Sequence, residues 1–137
     1  MDFEDRLRAY QPQMLSILRI MFGLLFISHG LQKWFGFPVA NPAFANITLF
    51  SMLGAAGIIE IVCGTLVTIG LFTRYAALII SGQMAVAYFY YANRLSRGFM
   101  PIQNGGSLDV AYCFTFLYLG FAGGGPWSLD AMWRRKP

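Results

Sequence analysis

Apolar residues in this chain come in long unbroken runs separated by short polar, Pro- or Gly-rich breaks. A transmembrane helix needs about 20 mostly apolar residues, and four runs approach that length. They cover about 14–34, 49–72, 75–91 and 108–122. The first ends at GFPVANPAFAN, where Pro38 and Pro42 stop a helix. GLFTR closes the second, the Gly-rich segment NRLSRGFMPIQNGG follows the third, and GGGP ends the fourth. No period-2 segments bounded by turns occur, which argues against a β-barrel. The pattern predicts an all-α integral membrane four-helix bundle forming a single domain over residues 1–137. The opening MDFEDRLRAYQPQ is charged and amphipathic, with no small-residue cleavage site after the first apolar run. It reads as a short cytoplasmic or interfacial helix rather than a signal peptide.

Composition agrees with the pattern. Of 137 residues, 57% are hydrophobic and 12% charged, against about a quarter charged in soluble domains. Aromatic residues make up 17%, and Tyr88, Tyr90 and Tyr91 fall where an interfacial aromatic belt would lie. The formal charge of +4 sits at helix ends rather than in a patch, so no nucleic-acid partner is expected. With the N-terminus inside, Arg6, Arg8, Arg74, Arg134, Arg135 and Lys136 share the cytoplasmic side, and Lys33, Arg94 and Arg97 lie opposite. That imbalance places both termini in the cytoplasm. Cys63 and Cys113 lie in apolar runs without a CxxC or metal-site spacing and read as buried free thiols.

Ionisable groups inside the spans are the candidate chemistry, because each costs about 2.5–3.5 kcal/mol to insert and usually faces the bundle interior. Arg19 and Lys33 are separated by about 21 Å along one helix and lie within about 40° of each other, with His29 one turn before Lys33. Both long cations could snorkel to headgroups. His29 is too short for that and is expected to hydrogen-bond within the bundle. Glu60 lies in a stripe of Gly54, Gly57, Gly64 and Thr68 that lets a neighbouring helix approach closely. It therefore points inward, towards a polar group on the first or third span, in a role either structural or catalytic. Gln83, at similar depth, is expected to make an interhelical hydrogen bond. Asp109 opens the fourth span near the level of His29 and Lys33, so a Lys33–Asp109 ion pair and a ligand site are equally open. Together, His29 and Lys33 would line a small polar cavity facing the non-cytoplasmic side, closed by Asn104, Gly105, Gly106 and Asp109.

Arg19, Gly23, His29, Gly30 and Lys33, then Glu60, Gly64, Gly70, Thr73 and Arg74, resemble the DoxX family in identity and order. So do the NGG at 104–106 and GGGPWSLD at 123–130. One position departs: the family commonly has an acid directly after NGG, whereas this chain has Ser107 and then Asp109, half a turn further on. The resemblance implies a multi-pass protein of the bacterial cell inner membrane, linked through relatives to quinone-dependent thiosulfate oxidation. It also implies a partner beyond the lipid bilayer, a soluble redox or sulfur-transfer protein; the sequence leaves a homo-oligomer open.

No cofactor signature appears beside the resemblance. A single His cannot form a bis-His haem site, two separated Cys cannot hold an iron–sulfur cluster, and no metal site or dinucleotide fingerprint is present. A lipid-soluble quinone is the carrier such a chain could bind, by shape and a few polar groups. Two function classes follow. One is a quinone- or small-ligand-binding redox subunit in which Arg19, His29 and Glu60 contact the ligand. The other is a non-catalytic scaffold that recruits a soluble partner through WRRKP.

Overall fold

The computed structural model describes residues 2–90 and 95–134; Tyr91, Arg94, Arg135 and Lys136, named above, lie outside them. The described residues form helices and no strand. Their order is α1 (Phe3–Ala9), α2 (Gln11–Phe35), a 3-10 turn (Pro42–Phe44), α3 (Met52–Ile69), α4 (Thr73–Tyr90), α5 (Pro101–Asn104), α6 (Ser107–Ala122) and α7 (Leu129–Arg134). Two of them, α2 and α3, are long and apolar enough to cross a bilayer. The helix of the second apolar run starts later and ends earlier than expected. Thr48 and Ser51 form a turn at its start, where the Ser51 hydroxyl accepts from the Gly54 amide at 3.0 Å. At its end Gly70 adopts the left-handed conformation, with φ 78°, that closes a helix.

Helices α2 and α3 pack closely because glycines line both sides of their contact. A Cβ on Gly30 would lie 2.7 Å from Ile61 Cγ1 and 2.8 Å from the Gly57 carbonyl oxygen. One on Gly57 would lie 2.7 Å from the Trp34 ring. The Trp34 indole donates to the Gly54 carbonyl at 3.0 Å across the same seam. This is the close approach that the small-residue stripe predicts. Between α2 and α6 the contact is aromatic and wider. Phe22 and Phe26 meet Tyr112 and Phe116 with ring centroids 5.3–6.2 Å apart, mostly edge to face. Helices α4 and α6 are tied by the Ser81 hydroxyl, which donates to the Cys113 carbonyl at 2.8 Å. Both cysteines are free thiols, as expected.

The distribution of polarity is inverted relative to a water-soluble protein. Arg19, Glu60, Ser16, Thr73, Ser81, Asn104 and Ser128 are buried, while Met21, Leu24, Leu25, Val62, Ile79, Phe114 and Phe121 are exposed. So many large apolar side chains on the exterior fit a surface covered by lipid rather than water.

Two polar clusters fix the ends of the fold. At one end the Arg19 guanidinium is fully buried, and its donors are consumed by backbone. Nη1 reaches the Val67 and Thr68 carbonyls at 2.8 and 2.7 Å, Nε reaches Gly124 at 2.8 Å and Nη2 reaches Trp127 at 2.6 Å. It caps the negative end of α3 and ties it to the loop after α6. Neither snorkelling nor contact with a ligand beside His29 describes this residue. The same contacts place the start of α2 and the segment leading to α7 at one end of the molecule. There the Asp130 carboxylate accepts from the Phe72 and Thr73 amides at 2.9 Å each, capping α4 from a distant segment.

At the opposite end, Asn104 is buried and bonded to the Tyr88 hydroxyl and the Gly98 carbonyl at 3.1 Å each, and it accepts from the Gly106 amide at 2.8 Å. Tyr88 also donates to the Phe99 carbonyl. It is therefore a buried anchor for the segment before α6 rather than part of an aromatic belt, whereas Tyr90 is exposed.

Candidate functional site

Lys33 lies one turn after His29 on α2, and the glycine seam brings α3 close enough for its side chain to reach Glu60. Lys33 Nζ stands 2.6 and 2.8 Å from the two Glu60 carboxylate oxygens. The Lys33 side chain is 12% exposed and that of Glu60 3%, so the cation turns into the protein rather than out to headgroups. The acid predicted to point inward thus meets both of its expected neighbours. Gln83 on α4 donates through Nε2 to Glu60 Oε1 at 3.3 Å. Lys33 forms its ion pair with Glu60 rather than with Asp109. Phe44, on the 3-10 turn, closes over the pair with its ring centroid 5.6 Å from Nζ. That contact joins residues separated by two prolines and has no periodic signature in the sequence.

This cluster lies in the wall of a cavity of about 740 Å³ among α2, α3, α4 and α6. His29, Lys33, Glu60, Gln83 and Asp109 contribute polar groups; Phe26, Ile59, Met84 and Leu108 are among the apolar ones. The cavity is larger and more apolar than the small polar one expected. Its size follows from the aromatic spacing of α2 from α6, and from Gly82, whose absent side chain leaves nothing within 4 Å of a Cβ position. Of the NGG turn, Gly105 reaches the rim beside Asp109, whereas the Asn104 side chain is committed to the turn itself.

His29 is half-buried and meets Tyr112 edge to face with centroids 5.7 Å apart. Among the described residues its ring nitrogens make no hydrogen bond, which corrects the expected bond within the bundle. The ring faces the cavity with donor and acceptor capacity in reserve. Gln83 Oε1 is likewise buried without a hydrogen-bond partner, a cost that a bound donor would relieve. The wall therefore presents a cation, a carboxylate, an imidazole and an unfilled amide acceptor in an otherwise apolar space. No group of His, Cys, Asp or Glu among the described residues could hold a metal ion.

Comparison with known proteins follows the same residues. The family profile described as DoxX matches residues 14–93, which contain most of α2 and all of α3 and α4. An uncharacterized protein of Haemophilus influenzae is 41% identical over 96% of this chain and 99% of its own length. An uncharacterized membrane protein of Mycobacterium tuberculosis is 33% identical over 90% of this chain and 83% of its own. A second Haemophilus influenzae protein is 30% identical over 86% and 82%. No solved structure matches. The ordered glycines, His29, Lys33 and Glu60 lie within the matched span, and the exterior is apolar; the chain belongs to the DoxX family and is a membrane protein.

Proposed function

We propose that α2, α3, α4 and α6 all span a bacterial inner membrane with both termini cytoplasmic, and that the cavity binds a quinone for a membrane-associated redox system. The exposed apolar residues of α4 and α6 support four spans, although α6 has only 16 residues. Charge supports the orientation. Arg6, Arg8, Arg74 and Arg134 lie on α1, at the start of α4 and at the end of α7, whereas of the described cations on the other side Lys33 is paired with Glu60 and Arg97 is exposed.

The observation that carries the ligand reading is a polar cluster in the wall of an apolar cavity whose rim is itself apolar and exposed. Between α3 and α4 that rim is formed by Ala55, Ile79, Gly82 and Val86. A ligand dissolved in the bilayer can enter there without crossing water. The volume is within the range of about 300–1,000 Å³ typical of small-molecule sites. Quinones accept hydrogen bonds at their carbonyls, and quinols donate from their hydroxyls. His29 can serve either form, and Gln83 Oε1 is an acceptor for a quinol hydroxyl. Phe26 and Tyr112 supply ring faces and edges. When bound, the quinone would carry the electrons; the protein positions it, excludes water and exchanges protons through His29.

The test is extraction of purified protein with organic solvent, followed by mass spectrometry for quinones, with titration of decylubiquinone into the delipidated protein. Expected is a copurifying or saturable quinone whose binding drops at least about tenfold in His29→Ala and in Gly82→Leu, roughly the loss of one good contact. Absence of quinone, together with equal decylubiquinone partitioning into all three proteins, would overturn the reading.

A further inference from the structure

We propose a second site, at the opposite end of the molecule, for a phosphate-bearing anion; in the membrane its occupant would be an acidic phospholipid headgroup. A hollow of about 240 Å³ lies between Arg74 at the start of α4, the glycine loop after α6 and Arg134 at the end of α7. Both arginines are exposed, and among the described residues neither side chain makes a hydrogen bond or ion pair. Arg74 lies across Gly123, where a Cβ would stand 3.2 Å from Nη2 and 3.3 Å from Nε. The glycine thus leaves room for the guanidinium to lie over the loop.

The one carboxylate among the described residues in the wall of the hollow, Asp130, forms no direct ion pair with either arginine. Both Asp130 oxygens accept backbone amides at the start of α4. The loop adds a second, independent feature. Gly124 is buried and Gly125 half-buried, both line the hollow, and neither amide is hydrogen-bonded among the described residues. Buried amides without partners are rare and are ordinarily satisfied by water or a ligand. Two guanidinium forks beside unfilled amides match the acceptor-rich, doubly coordinated chemistry of phosphate. Basic pockets at helix ends on the cytoplasmic side bind lipid headgroups by this chemistry. The inference uses the proposed membrane placement but is independent of what occupies the quinone cavity.

Native mass spectrometry of the full chain in mild detergent, with equal phosphatidylglycerol and phosphatidylcholine, tests it. Phosphatidylglycerol should be retained preferentially, by about fivefold for each arginine engaged. Arg74→Gln with Arg134→Gln should bring the two lipids to parity, and the double lysine variant should keep part of the preference. Displacement of phosphatidylglycerol by millimolar inorganic phosphate would identify a soluble anion as the occupant and overturn the lipid assignment; resistance to it supports the headgroup. If the double variant fails to fold, Arg134→Gln alone decides, because that side chain is exposed. An unchanged lipid ratio in a folded arginine variant would overturn the site altogether.

Discussion

Lys33 and Glu60, on neighbouring helices, form a two-pronged ion pair at 2.6 and 2.8 Å in the wall of an apolar cavity. Each charge is tolerated there because of the other. Removing one partner leaves the second buried and unpaired, a loss of about 3–5 kcal/mol. Lys33→Met and Glu60→Leu should therefore each destabilise the protein in detergent unfolding, and the double variant should recover most of the loss. Glu60→Gln should be milder than Glu60→Leu, since the amide still accepts from Lys33. Additive losses in the double variant would show that the two side chains act separately.

Glycine substitutions should divide by position. At Gly30, alanine would meet the Gly57 carbonyl and Ile61, so Gly30→Ala is expected to cost about 1–3 kcal/mol by forcing α2 from α3. At Gly82 a Cβ meets nothing, so Gly82→Ala should be neutral or stabilise by up to about 1 kcal/mol through helix propensity. Thermal unfolding of both in one detergent checks the contrast.

Arg19→Lys should not rescue Arg19→Gln. Four carbonyls on two segments are reached by a planar fork, which an ammonium with three donors cannot reproduce. Both variants are expected to lose about 3 kcal/mol or more, because buried acceptors stay unfilled. A lysine variant of near wild-type stability would show that charge alone suffices.

Acidification should loosen the end that carries α7. Burial pushes the Asp130 carboxyl up, but the Thr73 and Phe72 amides, helped by Arg134, outweigh it and hold the group below its ordinary value of 3.8. Its folded-state pKa is depressed, so its stabilisation is present above that ordinary value and is lost as pH falls through the lower one. Asp130→Asn should remove this step, which hydrogen exchange at the Phe72 and Thr73 amides can follow. An identical acid profile in the variant would assign the sensitivity to another group.

Topology is open to labelling. In a background with Cys63 and Cys113 replaced, Phe3→Cys and Ile102→Cys place exposed thiols at opposite ends of the molecule. An impermeant maleimide added to intact spheroplasts should label the second and spare the first. Labelling of both would overturn the four-span orientation.

Much of this was legible in the order of residues. Long apolar runs must satisfy their backbone internally, so helices and their approximate ends follow from run length and from Pro and Gly breaks. The fourth run was predicted over 108–122 and forms Ser107–Ala122. Glu60 was predicted to face inward because it shares a face with small residues, and it does. The helices α5 and α7, of four and six residues, are too short to carry a periodic pattern. Which charges meet was a different kind of question. Arg19 shares its helix with Lys33, yet its partners lie 48 to 108 residues away in sequence. Lys33 had two acids within plausible reach, and the glycine seam of α2 and α3 selected Glu60. Cavity size depended on the gap between α2 and α6, which large rings hold open across helices without any local signal. Periodicity records which face of a helix is buried; only packing decides what that face touches.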